Sequence, residues 1–190
     1  DAELKGPAMN PQRWLLCGRD PLEKAVALNQ LTLLFLFGNQ PDQALRCYQK
    51  ALQLNPAFTT AENNLNRALA IRKQLEMEIS RINGVLKDNP ENFVLHFQLG
   101  NLYFRKGEQR QAIQQYNRAL QLNPKFVPAL NNLALLTATN KEYYKALTIF
   151  LDILNYQPDD AETYYNIACM YSQLRRVDES IEWLKKGQER

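Results

Sequence analysis

Small and apolar residues recur along this chain at the spacing of one helical face. Ala44, Tyr48 and Ala51 stand at i, i+4 and i+7, and the same triplet returns as Ala112, Tyr116 and Ala119. With 3.6 residues per turn, such a set forms one stripe that a second helix must cover. Leu31 with Phe35, and Leu99 with Tyr103, supply matching i, i+4 pairs just upstream. Breakers separate the two kinds of stripe at Gly38–Pro41, Gly107 and Asn140, so the pattern predicts helix, turn, helix, several times over.

The prolines set the period. Pro56, Pro90, Pro124 and Pro158 lie 34 residues apart, each preceded by a carboxamide: Asn55, Asn89, Asn123 and Gln157. A fixed period of this length means one supersecondary unit repeated. With each proline at repeat position 32, units begin at Ala25, Thr59, Phe93, Val127 and Ala161, the fifth being cut short. In the third unit Leu99, Gly100, Tyr103, Ala112, Tyr116 and Ala119 occupy positions 7, 8, 11, 20, 24 and 27.

These residues resemble the tetratricopeptide repeat (TPR), over residues 25–190. The resemblance implies an all-α, right-handed superhelical solenoid of antiparallel helix pairs. Its physical basis is that small residues let paired helices approach while large ones fill the space beside them. Gly100, Ala112 and Ala119 are therefore expected to be buried at helix crossings. The second unit departs most, with Asn66 at position 8 and Glu78 at position 20 where small residues are usual. It also lacks a breaker between Arg72 and Leu75. One continuous helix is the alternative there, but the flanking matches favour an ordinary tight turn. Residues 1–22, with Trp14, read as an N-terminal segment, a half-repeat or cap, ahead of a solenoid over 23–190.

In this family the first helix of each repeat lines the concave groove, positions 2, 6, 9 and 13 forming its stripe. Here the groove begins apolar, with Val26, Leu33 and Phe37, an end that residues 1–22 or a partner's side chain should cover. It turns polar through Asn64, Arg67, Asn101 and Arg105. Position 6 carries a carboxamide in every unit: Gln30, Asn64, Gln98, Asn132 and Asn166. A carboxamide both donates and accepts, so the row can pair with a peptide's own backbone or serve only as tolerated polarity beside position 7. It is similar to the asparagine ladder of the transferase that adds N-acetylglucosamine to Ser and Thr. On the binding reading, replacing Asn132 and Asn166 together leaves stability unchanged. A chaperone-tail clamp is not expected, because Phe97 and Glu162 stand where that subclass has cations and Asn166 where it has an arginine.

The chemistry of catalysis is sparse. One histidine, His96, falls at packing position 4, and Ser80, Ser172 and Ser180 are the only serines. Metal-ligand spacing and phosphate-loop motifs are missing from the sequence, so no metal or cofactor is expected. Asp159 and Asp160 read as the start of a helix, where negative charge suits the dipole. Three widely spaced cysteines, Cys17, Cys47 and Cys169, fit a reducing compartment, and a cytoplasmic location is weakly favoured. A net charge of +3 with a pI near 8.7 is far from a dedicated nucleic-acid binder. The longest apolar stretch, Leu31–Phe37, is too short to span a bilayer.

The expected function is a non-catalytic adaptor holding a partner protein's peptide in the groove. The alternatives are a regulatory or targeting module of a larger enzyme or membrane protein, and single-stranded RNA binding. Self-association through Ile181 and Leu184, at a C-terminal end without a capping helix, is a further expectation.

Overall fold

A computed structural model describes residues 20–37 and 41–190. The N-terminal expectation, Trp14 and Cys17 included, lies outside these residues, as does the Phe37 side chain. All regular structure among the described residues is helical. The helices are α1 (Pro21–Phe37), α2 (Pro41–Leu54), α3 (Thr59–Asp88), α4 (Phe93–Lys106), α5 (Gln109–Leu122), α6 (Val127–Thr139), α7 (Tyr143–Tyr156), α8 (Ala161–Gln173) and α9 (Val177–Gln188).

Local chemistry explains the boundaries. Asn55 and Asn123 accept from the backbone N–H two residues on, at 3.2 and 3.3 Å, closing turns around Pro56 and Pro124. Asp160 caps α8, accepting from Glu162 N at 3.3 Å and from the Thr163 hydroxyl at 2.5 Å.

Inside the repeats a second turn recurs at position 15. Gly107, Lys141 and Arg175 have φ of 87°, 65° and 60°. Around them, N–H groups of Glu108, Glu142 and Arg176 donate to carbonyls of Tyr103, Thr137 and Tyr171. This is the Schellman arrangement, six-to-one bonding across a left-handed residue. The left-handed residue in the fourth repeat is thus Lys141, next to the breaker Asn140.

The chain divides into two compact units: residues up to Arg81 with Leu102–Glu108, and Ile82–Asn101 with Gln109–Arg190. In the first, Leu28, Leu45, Tyr48, Ala61 and Ala68 form the core. In the second, one core joins Ala134, Ala146, Phe150, Ile153 and Ile167. Gly100, Ala112 and Ala119 are buried. Gly187 replaces alanine at position 27 because a Cβ there would lie 2.8 Å from the Cβ of Tyr164.

The ordinary turn expected between Arg72 and Leu75 is absent: α3 runs unbroken for 30 residues. Two physical causes act together. The segment Arg-Lys-Gln-Leu consists of good helix formers, and Arg72 faces Glu76 one turn on at 3.7 Å. In addition, Asn66 and Glu78 occupy the two crossing positions, so a folded hairpin would lack the close approach that Gly100 and Ala112 give the third repeat.

Position 24 sets up a contrast between two buried tyrosines. The Tyr116 hydroxyl donates to Asn101 Oδ1 at 2.7 Å, whereas the buried Tyr48 hydroxyl has no partner among the described residues. Tyr116→Phe should cost about 0.5–1.5 kcal/mol in urea unfolding, while Tyr48→Phe should be neutral or stabilising. Burial pushes both phenols up to about 12; Arg67 opposes this at Tyr48, and a hydrogen bond from Asn132 opposes it at Tyr116. A raised folded-state pKa stabilises fully below the unfolded value, so this contribution is lost as pH rises from about 10 to about 12.

Candidate functional site

The first helix of each repeat places positions 2, 6, 9 and 13 on one side, and the two units present different faces. In the first unit Val26 is 40% exposed, Gln30 and Arg67 are exposed, and Leu33 is half-buried. Asn64 is partly buried, and its amide donates to Asn29 Oδ1 at 3.1 Å, tying α3 to α1. Arg105, half-buried, has a buried Nε with no partner among the described residues.

In the second unit Gln98 is exposed, while Asn101 and Asn132 form part of a half-buried network. The Asn132 amide donates to Asn101 Oδ1 at 2.8 Å and approaches the Tyr116 hydroxyl at 3.5 Å. Asn132 is therefore a strut between repeats. Its replacement removes a bond from the fold, contrary to the expectation that stability would be untouched. Asn166 differs, since its buried Nδ2 has no partner among the described residues.

Sequence reasoning missed Tyr165. It stands at position 5, beside the Asn166 rung, and is 59% exposed. With Leu135, 40% exposed, and half-buried Cys169, it gives this face an apolar component. The signal lies in the sequence, since an aromatic at position 5 adjoins the stripe of positions 2, 6, 9 and 13. Among the polar side chains that line it, Glu162 carries a formal charge and the others are carboxamides and hydroxyls.

His96 is held structurally. Its Nδ1 lies 2.8 Å from Gln115 Oε1 and its Nε2 3.0 Å from the Pro90 carbonyl, which engages both ring nitrogens. Among the described residues no His, Cys, Asp and Glu side chains cluster as a metal site would require, and no helix is long and apolar enough to cross a membrane.

Comparison with known proteins bears on this geometry. Tetratricopeptide-repeat profiles match residues 25–58 and 161–190, and a TPR-repeat profile matches residues 100–141, together more than half of the chain. The human protein O-mannosyl-transferase TMTC3 is 26% identical over 85% of this chain, which spans 18% of that protein's length. Several other curated relatives are likewise matched over less than a fifth of their length. The crystal structure of MamA superposes with a TM-score of 0.58 at 21% identity, covering 88% of this chain and 91% of that one. That of YrrB, described as a TPR protein with an unusual peptide-binding site, gives 0.55 at 20% identity, over 95% and 92%. This chain belongs to the tetratricopeptide-repeat family, whose all-α fold serves in general as a non-catalytic scaffold for contacts with other proteins.

Proposed function

We infer that the chain is a non-enzymatic adaptor that binds a peptide segment of a partner along the first-helix face of its second unit. The observation that carries this reading is a face that exposes Leu135 and Tyr165 beside a row of carboxamides. Apolar side chains give an extended peptide something to bury, and an exposed carboxamide such as Gln98 can bond its backbone, whereas the buried Asn166 amide becomes a donor only if its cover moves. The carboxamides Gln98 and Asn101 continue the polar edge. Asn64, Arg67 and Arg105, with Gln30 and the apolar Val26 and Leu33, form a separate candidate face in the first unit.

The peptide is expected to be weakly sequence-selective. Each carboxamide bond contributes about 0.5–1.5 kcal/mol net, and ordering a flexible ligand costs several kcal/mol. The YrrB likeness supports a peptide ligand by analogy of fold alone. The match to 18% of TMTC3 favours a second reading, in which these repeats form the protein-contact module of a larger enzyme.

Selection from a random peptide library, followed by calorimetry, tests the proposal. Tyr165→Ala should weaken selected peptides by tenfold or more, a loss of about 1.4 kcal/mol. Because Tyr165 is exposed, its removal should leave the melting transition in place. Peptides that bind the Tyr165→Ala and Leu135→Asp variants as tightly as the parent would move the site elsewhere.

A further inference from the structure

We propose that the second repeat is a conformational switch, in which straight α3 exchanges with a hairpin folded at Arg72–Leu75. Three observations lead there. The first is the behaviour of positions 4 and 23 elsewhere in the chain. In the third repeat this pair is His96 and Gln115, hydrogen-bonded at 2.8 Å. In the fifth it is Tyr164 and Trp183, with ring centroids 5.7 Å apart. In the first and fourth repeats it is Leu28 with Cys47 and Leu130 with Ile149, each pair packed into one core. Both residues of the pair thus take part in closing each hairpin. In the second repeat the same positions hold Glu62 and Arg81, which are opposite charges. On straight α3 they are 19 residues, about 28 Å, apart.

The second observation is exposure. Position 11 is buried or half-buried in the other repeats, as Phe35, Tyr103, Thr137 and Tyr171. Its counterpart Leu69 is 39% exposed. Position 27 is fully buried as Ala51, Ala119 and Ile153, whereas Val85 is 41% exposed. Sixteen residues of helix turn by about 160° beyond whole turns. Leu69 and Val85 therefore lie on nearly opposite sides of α3, and no single flat surface covers both. Folding at Arg72–Leu75 would bring both positions to the inner face of a hairpin, as in the other repeats.

The third observation concerns the turn itself. Position 15 of the second repeat is Lys73. Lys141 and Arg175 at the same position adopt φ of 65° and 60° and hold complete Schellman turns without glycine. A lysine at position 15 is thus compatible with the turn, and its helical state in α3 is a choice set by the surroundings. Asn66 and Glu78 at the crossing loosen the hairpin, while Arg72–Glu76 favours the straight form. Closing contacts are retained and the locking ones replaced, which is the pattern of two states close in free energy.

Pulsed electron resonance on the full chain decides the matter, with spin labels carried by keto-bearing unnatural residues at exposed Thr60 and Ser80 so that the cysteines stay native. Straight α3 separates these sites by about 30 Å; a hairpin, with axes about 8–10 Å apart, brings them under about 20 Å. Both distances are expected in the parent chain. Glu62→Arg should deplete the short one at least threefold, the reciprocal Glu62→Arg/Arg81→Glu pair should restore it, and Lys73→Gly should enrich it. A single distance near 30 Å in both the parent and Lys73→Gly would overturn the switch. So would a short distance that vanishes on dilution with unlabelled chain, since that places the contact between copies. A short population indifferent to Glu62→Arg would overturn the role of the charge pair.

Discussion

Phe150→Ala is expected to cost about 3–5 kcal/mol, the loss of a fully buried aromatic whose cavity cannot collapse. Phe150 is 0% exposed at position 24 of the fourth repeat. It belongs to a core with Ala134, Ala146, Ile153 and Ile167 at 0% exposure, drawn from three consecutive helices. The small residues in that set have no rotamers with which to fill the space. A repeat array is stabilised by nearest-neighbour interfaces, so the loss should be felt by the repeats on both sides. Urea denaturation should show a lower midpoint, and hydrogen exchange should report faster opening of α6, α7 and α8 together. A change confined to α7 would mean that the three helices do not share one core.

Gly100→Ala tests the crossing in the third repeat and should destabilise by about 1–3 kcal/mol, although alanine is the better helix former. An added Cβ would lie 2.6 Å from Cε1 and 2.7 Å from Cδ1 of Tyr116. A flexible neighbour would yield, but this ring is 1% exposed and tethered through its hydroxyl to Asn101. Either the ring shifts and the 2.7 Å bond is broken, or the helices separate. Ala112→Leu, across the same crossing, should cost a similar amount through overpacking. Combining Gly100→Ala with Tyr116→Leu should cost less than the sum of the single changes, because the clash is with the ring alone. Additive costs would show that the strain is released elsewhere.

Most of the fold was legible because its punctuation is chemical. The Asn–Pro and Gln–Pro pairs fix the turns between repeats, and the helices at Thr59, Phe93, Val127 and Ala161 begin at the first residue of their units. The straight α3 was not legible from local residues. Lys73 and Lys141 are the same residue at the same repeat position, one helical and one left-handed. What separates them lies across the crossing, in Asn66 and Glu78 against Ala134 and Ala146. A similar limit applied to the carboxamide row. Spacing identifies five equivalent positions but says nothing of partners, and Asn64 and Asn132 turn out to give their donors to asparagines of the neighbouring repeat. Asn166 stands in the same column with its buried donor unpartnered among the described residues.

The Asn132–Asn101–Tyr116 seam has a consequence for what this face can recognise. The Asn132 amide has two N–H groups, one given to Asn101 Oδ1 at 2.8 Å and one directed at the Tyr116 hydroxyl at 3.5 Å, so a guest carbonyl captures it only by displacing one of these bonds. Recognition through Asn132 would therefore be charged against the stiffness of the joint between the third and fourth repeats. Guests that leave the joint closed meet a rigid wall and bind without that cost, whereas guests that open it must bring a replacement donor. The face thus favours one kind of visitor before any side-chain pocket is considered, because the molecule is already using part of its own vocabulary on itself.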